Sequence, residues 1–275
     1  MTDLFTTDFD GFTARDELST FVANAAVTGA PFARSLTPLP IGRPGITFPL
    51  VDPTGFDWTA EGGPIPGVDL GDDVYSVAVA KLAGIVGMSS EFVDDNELPI
   101  GNLLGQAVAD SMGPKLDSGL LVGAGAPAPT GILASATAGP AADDFRQAVI
   151  ACWGAMVDDG ANGDNIVAFA SGATVAAELG RVNLEDTPIH PAGMVPMIGP
   201  GIRMVAVPSI AAGTVLVADV SRTYLVLRED FSAEMSEHAR FANDQVVMRI
   251  KGRFAVACPT PAKSLRVATF DAPGS

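Results

Sequence analysis

Residues 57–65 read Asp-Trp-Thr-Ala-Glu-Gly-Gly-Pro-Ile and lie in a stretch, 35–71, dominated by proline, glycine and aspartate. Seven prolines punctuate it, and its one strand-like run is Gly45-Ile-Thr-Phe-Pro-Leu-Val51. A compact domain rarely carries so long a stretch without a core of its own. Immediately after it, Val77, Val79 and Lys81 alternate with Ala78, Ala80 and Leu82, and the pattern continues through Gly84-Ile-Val-Gly-Met88, as in a long strand. Together the two runs predict a hairpin that leaves the globule and returns. Trp58 sits where no core is in sight, and a large aromatic on such a projection usually anchors it to another surface.

Working outward, the next segment changes period. After Ser89-Ser90-Glu91 and the acidic patch Asp94-Asp95-Asn96-Glu97, apolar residues recur at Ile100, Leu103, Leu104, Ala107, Val108, Met112, Leu116 and Leu120. That is one face of a long helix, its acidic approach suited to the positive end of the helix dipole. Gly113-Pro114 removes a backbone donor in its middle and predicts a kink. A Gly/Ala/Pro stretch over 123–139 ends it.

Beyond residue 140, helix-like 142–157, strand-like Ile166-Val-Ala-Phe-Ala170 and helix-like 172–179 precede strand-like runs at 204–207, 214–217 and 223–227. Such alternation predicts an α/β unit over 127–227. The strand-like runs 244–258 and 264–268 close the chain. Both are expected to pair with the hairpin and long-helix region.

Composition narrows the function. With 275 residues, 48% of them hydrophobic, the chain can build a substantial core. Thirty-two acids against 16 bases leave a net charge of −16, which opposes a dedicated nucleic-acid grip. The imbalance is concentrated early: residues 1–150 hold 19 acids and 6 bases, the remainder 13 and 10. Cys152 and Cys258 lie far apart without metal-ligand spacing and read as buried, reduced thiols. No basic, apolar leader opens the sequence, and no apolar run reaches the ~20 residues of a membrane span.

Catalytic signatures are equally sparse. Walker-type, Gly-x-Ser-x-Gly, His-Glu-x-x-His and Cys-x-x-Cys patterns do not occur. Gly123-Ala-Gly125 lacks the third glycine of a dinucleotide loop, and Pro127 and Pro129 oppose a helix there. His190 and His238 read as surface histidines. The doublets Asp72-Asp73, Asp94-Asp95 and Asp143-Asp144 each precede an element and read as caps rather than cation ligands.

The segments 58–65 and 77–95, taken in order, resemble the E-loop and following strand of tailed-bacteriophage major capsid proteins. The long helix resembles that family's spine helix. Gly123-Ala-Gly125 with Pro129-Thr-Gly-Ile-Leu133 resembles its helix-exit turn, and Asp219-Val-Ser-Arg-Thr-Tyr-Leu-Val226 the strand closing its axial domain. Phe241-Ala-Asn-Asp-Gln-Val-Val-Met-Arg-Ile-Lys-Gly-Arg253 is similar to its final peripheral-domain strand. The resemblance covers 35–270.

It implies an α+β chain with the HK-ninety-seven capsid fold. The expected parts are an N-terminal arm (1–34), an extended E-loop with its strands (35–88), a peripheral domain with the spine helix (89–126), an axial α/β domain (127–227) and a return to the peripheral domain (228–275). The implied function is structural, not enzymatic: pentamers and hexamers tile a virion shell around packaged double-stranded DNA held without sequence-specific contacts, assembled in the host cytoplasm. A separate scaffolding protein, a portal and a decoration protein are the expected partners, with no membrane, cofactor, metal or catalytic residue. Phe48, Trp58 and Ile65 are the expected E-loop anchors on a neighbouring copy, with Glu61 pairing to a base such as Arg249, Lys251 or Arg253. Residues 228–266 carry 7 bases and 5 acids and so suit that role. Some relatives cross-link through an E-loop lysine, but the four lysines here, Lys81, Lys115, Lys251 and Lys263, all lie outside 54–71, so no covalent bond is expected. Two rival readings stand beside this one: an encapsulin-type nanocompartment shell, and a small-molecule enzyme with an α/β domain under a lid at 35–75.

Overall fold

A computed structural model describes residues 29–50, 57–65, 67, 73–89, 100–183, 186–190, 196–240 and 245–271. Residues 1–28 of the expected arm and the acidic patch at 94–97 lie outside the described residues.

Two sheets and one long helix organise the chain. The first sheet has the order β1 (Thr37–Pro40), β10 (Tyr224–Arg240), β11 (Gln245–Ala257), β4 (Ala80–Ser89). The second is mixed and six-stranded, in the order β5 (Thr137–Ala138), β12 (Leu265–Thr269), β9 (Thr214–Asp219), β6 (Ile166–Ala170), β8 (Ile202–Ala206), β7 (Met197–Ile198). A separate two-stranded ribbon joins β2 (Gly45–Pro49) to β3 (Val74–Ala78). The helices are α1 (Pro31–Ser35), α2 (Ile100–Leu121), α3 (Phe145–Asp158), α4 (Gly172–Leu179) and α5 (Pro261–Ser264).

The central strands explain themselves. β6 is buried at all five positions and reads Ile-Val-Ala-Phe-Ala, the continuous apolar run of a strand covered on both faces. Asp144 caps α3 by accepting from Gln147 N at 2.7 Å, and Ser171 caps α4 by accepting from Thr174 N at 3.3 Å. The long helix ends where Gly123, at φ +73°, donates its N–H to Ser118 O. Its exit turn is tight: a Cβ on Gly131 would lie 2.1 Å from the Val122 carbonyl carbon.

One apolar cluster spans both sheets. Leu116, Leu120 and Leu121 of α2 share it with Phe169, Leu216 and Leu265 of the six-stranded sheet and with Met248, Ile250 and Phe254 of β11. Peripheral and axial parts therefore meet through a common core. A second cluster lies between α3 and the opposite face of the six-stranded sheet.

Several expectations need correction. Residues 223–227 do not end the axial unit; Tyr224–Leu227 begin β10, pairing in parallel with β1 and antiparallel with β11. The last strand, β12, does not return to the hairpin region but inserts between β9 and β5, because Leu265 and Ala268 are apolar on positions that its neighbours cover. Helix α2 spans Ile100–Leu121 with Pro114 inside it. The end of the expected arm joins the shared core: Ala30, Phe32 and Ala33 are buried there, with Leu36 just beyond.

Candidate assembly surfaces

The projecting hairpin has a packed base and a bare tip. At the base, Phe48 lies 6.2 Å from the Tyr75 ring and stacks on Tyr224 at 5.8 Å with 18° between planes. Ile46, Tyr75 and Val77 join it against Val226, Ala255 and Ala257 of the four-stranded sheet. Phe48 is thus half-buried and supported within its own chain, because the hairpin folds back onto Tyr224. Close backbone packing helps: a Cβ on Gly45 would sit 2.8 Å from Val77 O.

The tip is different. Trp58 N donates to Asp57 Oδ1 at 2.8 Å and Gly63 N to Ala60 O at 2.9 Å, with Gly62 at φ +78° turning the chain. This local bonding shapes the tip without burying it. Trp58 is 100% exposed and Ile65 86%, and Glu61 is also exposed.

Arg249, Lys251 and Arg253 project from β11 beside Glu229 and Glu234 of β10, held there by the antiparallel register Glu234↔Arg249 and Glu229↔Arg253. Lys251 Nζ donates to Glu234 Oε1 at 2.7 Å and stands 3.6 Å from Glu229, Arg249 also bonds Glu234, and Arg253 Nε lies 3.5 Å from Glu229 Oε2. Hydrogen bonds from Lys251, then Arg249, hold the Glu234 carboxyl down to about 2. The bases meet partners in their own chain, yet among the described residues three cations face two carboxylates, one positive charge more than the carboxylates match. Among the described residues, no bond joins Glu61 to it.

Two polar clusters were not legible as sites. In the axial unit, Glu178 is buried at 2% exposure and collects Arg146, through Nε at 2.8 Å and Nη2 at 2.5 Å, Arg181 at 3.1 Å, and His190 at 3.3 Å. His190 is therefore corrected from surface residue to a nearly buried member of an ion network, since its ring fills the space beside Glu178. Asp144 adds a second carboxylate through Arg181. At the other end, Asp117 of α2 accepts from Phe32 N at 2.9 Å and Ala33 N at 3.0 Å while wholly buried. Its one sequence signal is position: a carboxylate four residues after Gly113 and four before Leu121, on the helix's apolar face.

Nothing else suggests chemistry among the described residues. No group of three or more potential ligands could hold a metal ion, and Cys152 and Cys258 are both buried free thiols, with burial raising each to about 11. No described helix is long and apolar enough to cross a membrane.

Comparison with known proteins places this geometry. The model of the phage capsid family matches residues 10–269. A solved structure from Mycobacterium phage Adephagia superposes with a TM-score of 0.70 at 17% identity, covering 90% of this chain and 92% of that one. One from Microbacterium phage Oxtober96 gives 0.68 at 20%, covering 88% and 91%. A virus-like particle from Pyrococcus furiosus gives 0.61 at 10%, covering 93% and 99%. No curated protein sequence matches the chain. With the family matched over nearly its whole length and the two-sheet, spine-helix architecture in common, this chain belongs to the phage capsid family, with the HK-ninety-seven fold of a tailed-phage major capsid protein that forms the shell of the virion.

Proposed function

We propose that this protein assembles as pentamers and hexamers into a closed shell around packaged double-stranded DNA, each E-loop tip resting on the next copy. The observation that carries the reading is the contrast between a hairpin base packed at Phe48 and a tip whose Trp58 and Ile65 have no cover in their own chain. Burying either side chain on a neighbour contributes about 2 kcal/mol, and many such weak contacts per subunit sum to a stable shell while misplaced subunits can still leave. Glu61 is the tip's carboxylate for the spare cation among Arg249, Lys251 and Arg253 of the adjoining copy. The net charge of −16 suits a wall from which phosphate slides free. Assembly in the host cytoplasm, with scaffold, portal and decoration proteins as partners, completes the proposal.

The likeness to a virus-like particle supports the second reading, a nanocompartment shell. Electron microscopy of the expressed chain tests the first step: megadalton particles with five- and six-fold capsomers are expected, and a monodisperse small oligomer overturns the shell. Nuclease-protected double-stranded DNA in particles from infected cells separates the genome container from the nanocompartment, which would hold protein cargo instead.

A further inference from the structure

Among the described residues, the segment nearest the amino terminus is packed inside the globule. Residues 29–36 run between α2 and the six-stranded sheet, with Ala30, Phe32, Ala33 and Leu36 buried and the Phe32 ring set edge-on to Phe169 of β6 at 5.0 Å. On the helix side the backbones nearly touch. A Cβ on Gly113 would lie 2.4 Å from the Gly29 carbonyl carbon, so only glycine lets the segment lie this close. Four residues on, one turn of helix away, Asp117 places one carboxylate oxygen on each of two backbone N–H groups, Phe32 and Ala33. Apolar packing alone would seat this root. A wholly buried carboxylate beside it is an additional device whose strength depends on its charge.

We propose that Asp117 is a proton-dependent latch that sets how firmly the root of the N-terminal arm, residues 29–36, is held between the spine helix and the axial sheet. The inference goes beyond shell formation, since it concerns a single chain.

The direction follows from burial. Desolvation outweighs the two N–H bonds and raises the Asp117 carboxyl to about 6, from 3.8 when open to water. Among the described residues no other charge decides the matter: Arg34 on α1, Asp110 and Lys115 on α2, and Arg203 on β8, the strand packed against α1, are all exposed. A root that releases and re-exposes Asp117 returns its carboxyl toward the open value. Docking therefore takes up a proton between these limits. The sign is that acid tightens the latch, while a rise in pH through about 6 leaves a charged carboxylate buried and the root easier to release.

Hydrogen exchange of the full-length chain tests this at single amides. Protection at Phe32 and Ala33, corrected for intrinsic exchange and referred to β9 amides such as Leu216 and Val217, is expected to rise about tenfold between pH 7 and pH 5. Asp117→Asn, fixed in the neutral form, is expected to abolish that slope. A flat profile in the native protein, or the same slope in Asp117→Asn, overturns the proposal. Should the variant fold poorly, the native profile against its β9 reference still decides.

Discussion

Phe32, from the arm root, meets Phe169, from the middle of the axial sheet, with ring centroids 5.0 Å apart and planes at 77°. Both rings are fully buried, and the edge-to-face arrangement adds to the area they hide. This contact ties the first described residues to a strand more than a hundred positions away. Removing it opens a cavity where arm, spine helix and axial sheet meet. Phe32→Ala is therefore expected to destabilise the chain by about 3–5 kcal/mol, read as a lower urea midpoint with an unchanged slope. A change under about 1 kcal/mol would mean the root is not part of the cooperative core.

Glu178 makes a different kind of demand. Its carboxylate is buried, whereas Arg146 and Arg181 are partly in water, so deleting its charge strands cations that can still reach solvent. Glu178→Gln is expected to cost about 3 kcal/mol, the low end for a broken buried pair. Loss of the network should also loosen the turn closed by Ile189 N donating to Arg181 O, seen as faster exchange at the Ile189 amide. Wild-type exchange there in Glu178→Gln would show that the turn stands without its brace.

The sequence made these elements legible to unequal degrees. Ile166–Ala170 and Gly172–Leu179 were readable from end to end, because short-range apolar patterning is a local signal. β12 was misplaced because Leu-Arg-Val-Ala-Thr carries no information about which sheet will receive it; pairing is settled by what α3 and β9 leave uncovered. Trp58 was readable as unusual from its place in a Pro- and Gly-rich stretch, while Phe48 looked the same, and only the fold-back onto Tyr224 separates their exposure. Asp117, Glu178 and His190 escaped because each is a single polar residue whose partners come from other elements.

The β10–β11 ladder gives a pH signature. Glu234 is held at about 2 by Lys251 and Arg249, below the ordinary 4.5 of a glutamate. Its pairing contributes to stability above the ordinary value and is lost as pH falls from there through about 2. Because the group is exposed, the effect is screened, and Glu234→Gln should barely move the melting temperature at neutral pH. Titration of the Glu234 carboxyl carbon by NMR should show a midpoint near 2 at low salt that climbs toward 4.5 in molar salt. A midpoint indifferent to salt would show that the ladder is not what holds the proton off.

The tip is where stability and assembly should part company. Trp58 and Ile65 touch almost nothing in their own chain, so replacing both with alanine removes no buried area from the folded protomer. The double variant is expected to keep the native urea midpoint to within about 0.5 kcal/mol, because its folded and unfolded states expose these side chains alike. If both side chains rest on a neighbour in the shell, as proposed, the same variant should shift sedimentation from particles to free subunits. Charge tests the partner independently. Glu61→Lys should impair assembly by facing the spare cation of the ladder, and adding Lys251→Glu should restore it in part if that ladder receives the tip. Particles formed as readily by the Trp58→Ala, Ile65→Ala double variant as by the native chain would show that these residues anchor nothing. Assembly lost in Glu61→Lys and never recovered with Lys251→Glu would place the tip's partner elsewhere on the adjoining copy.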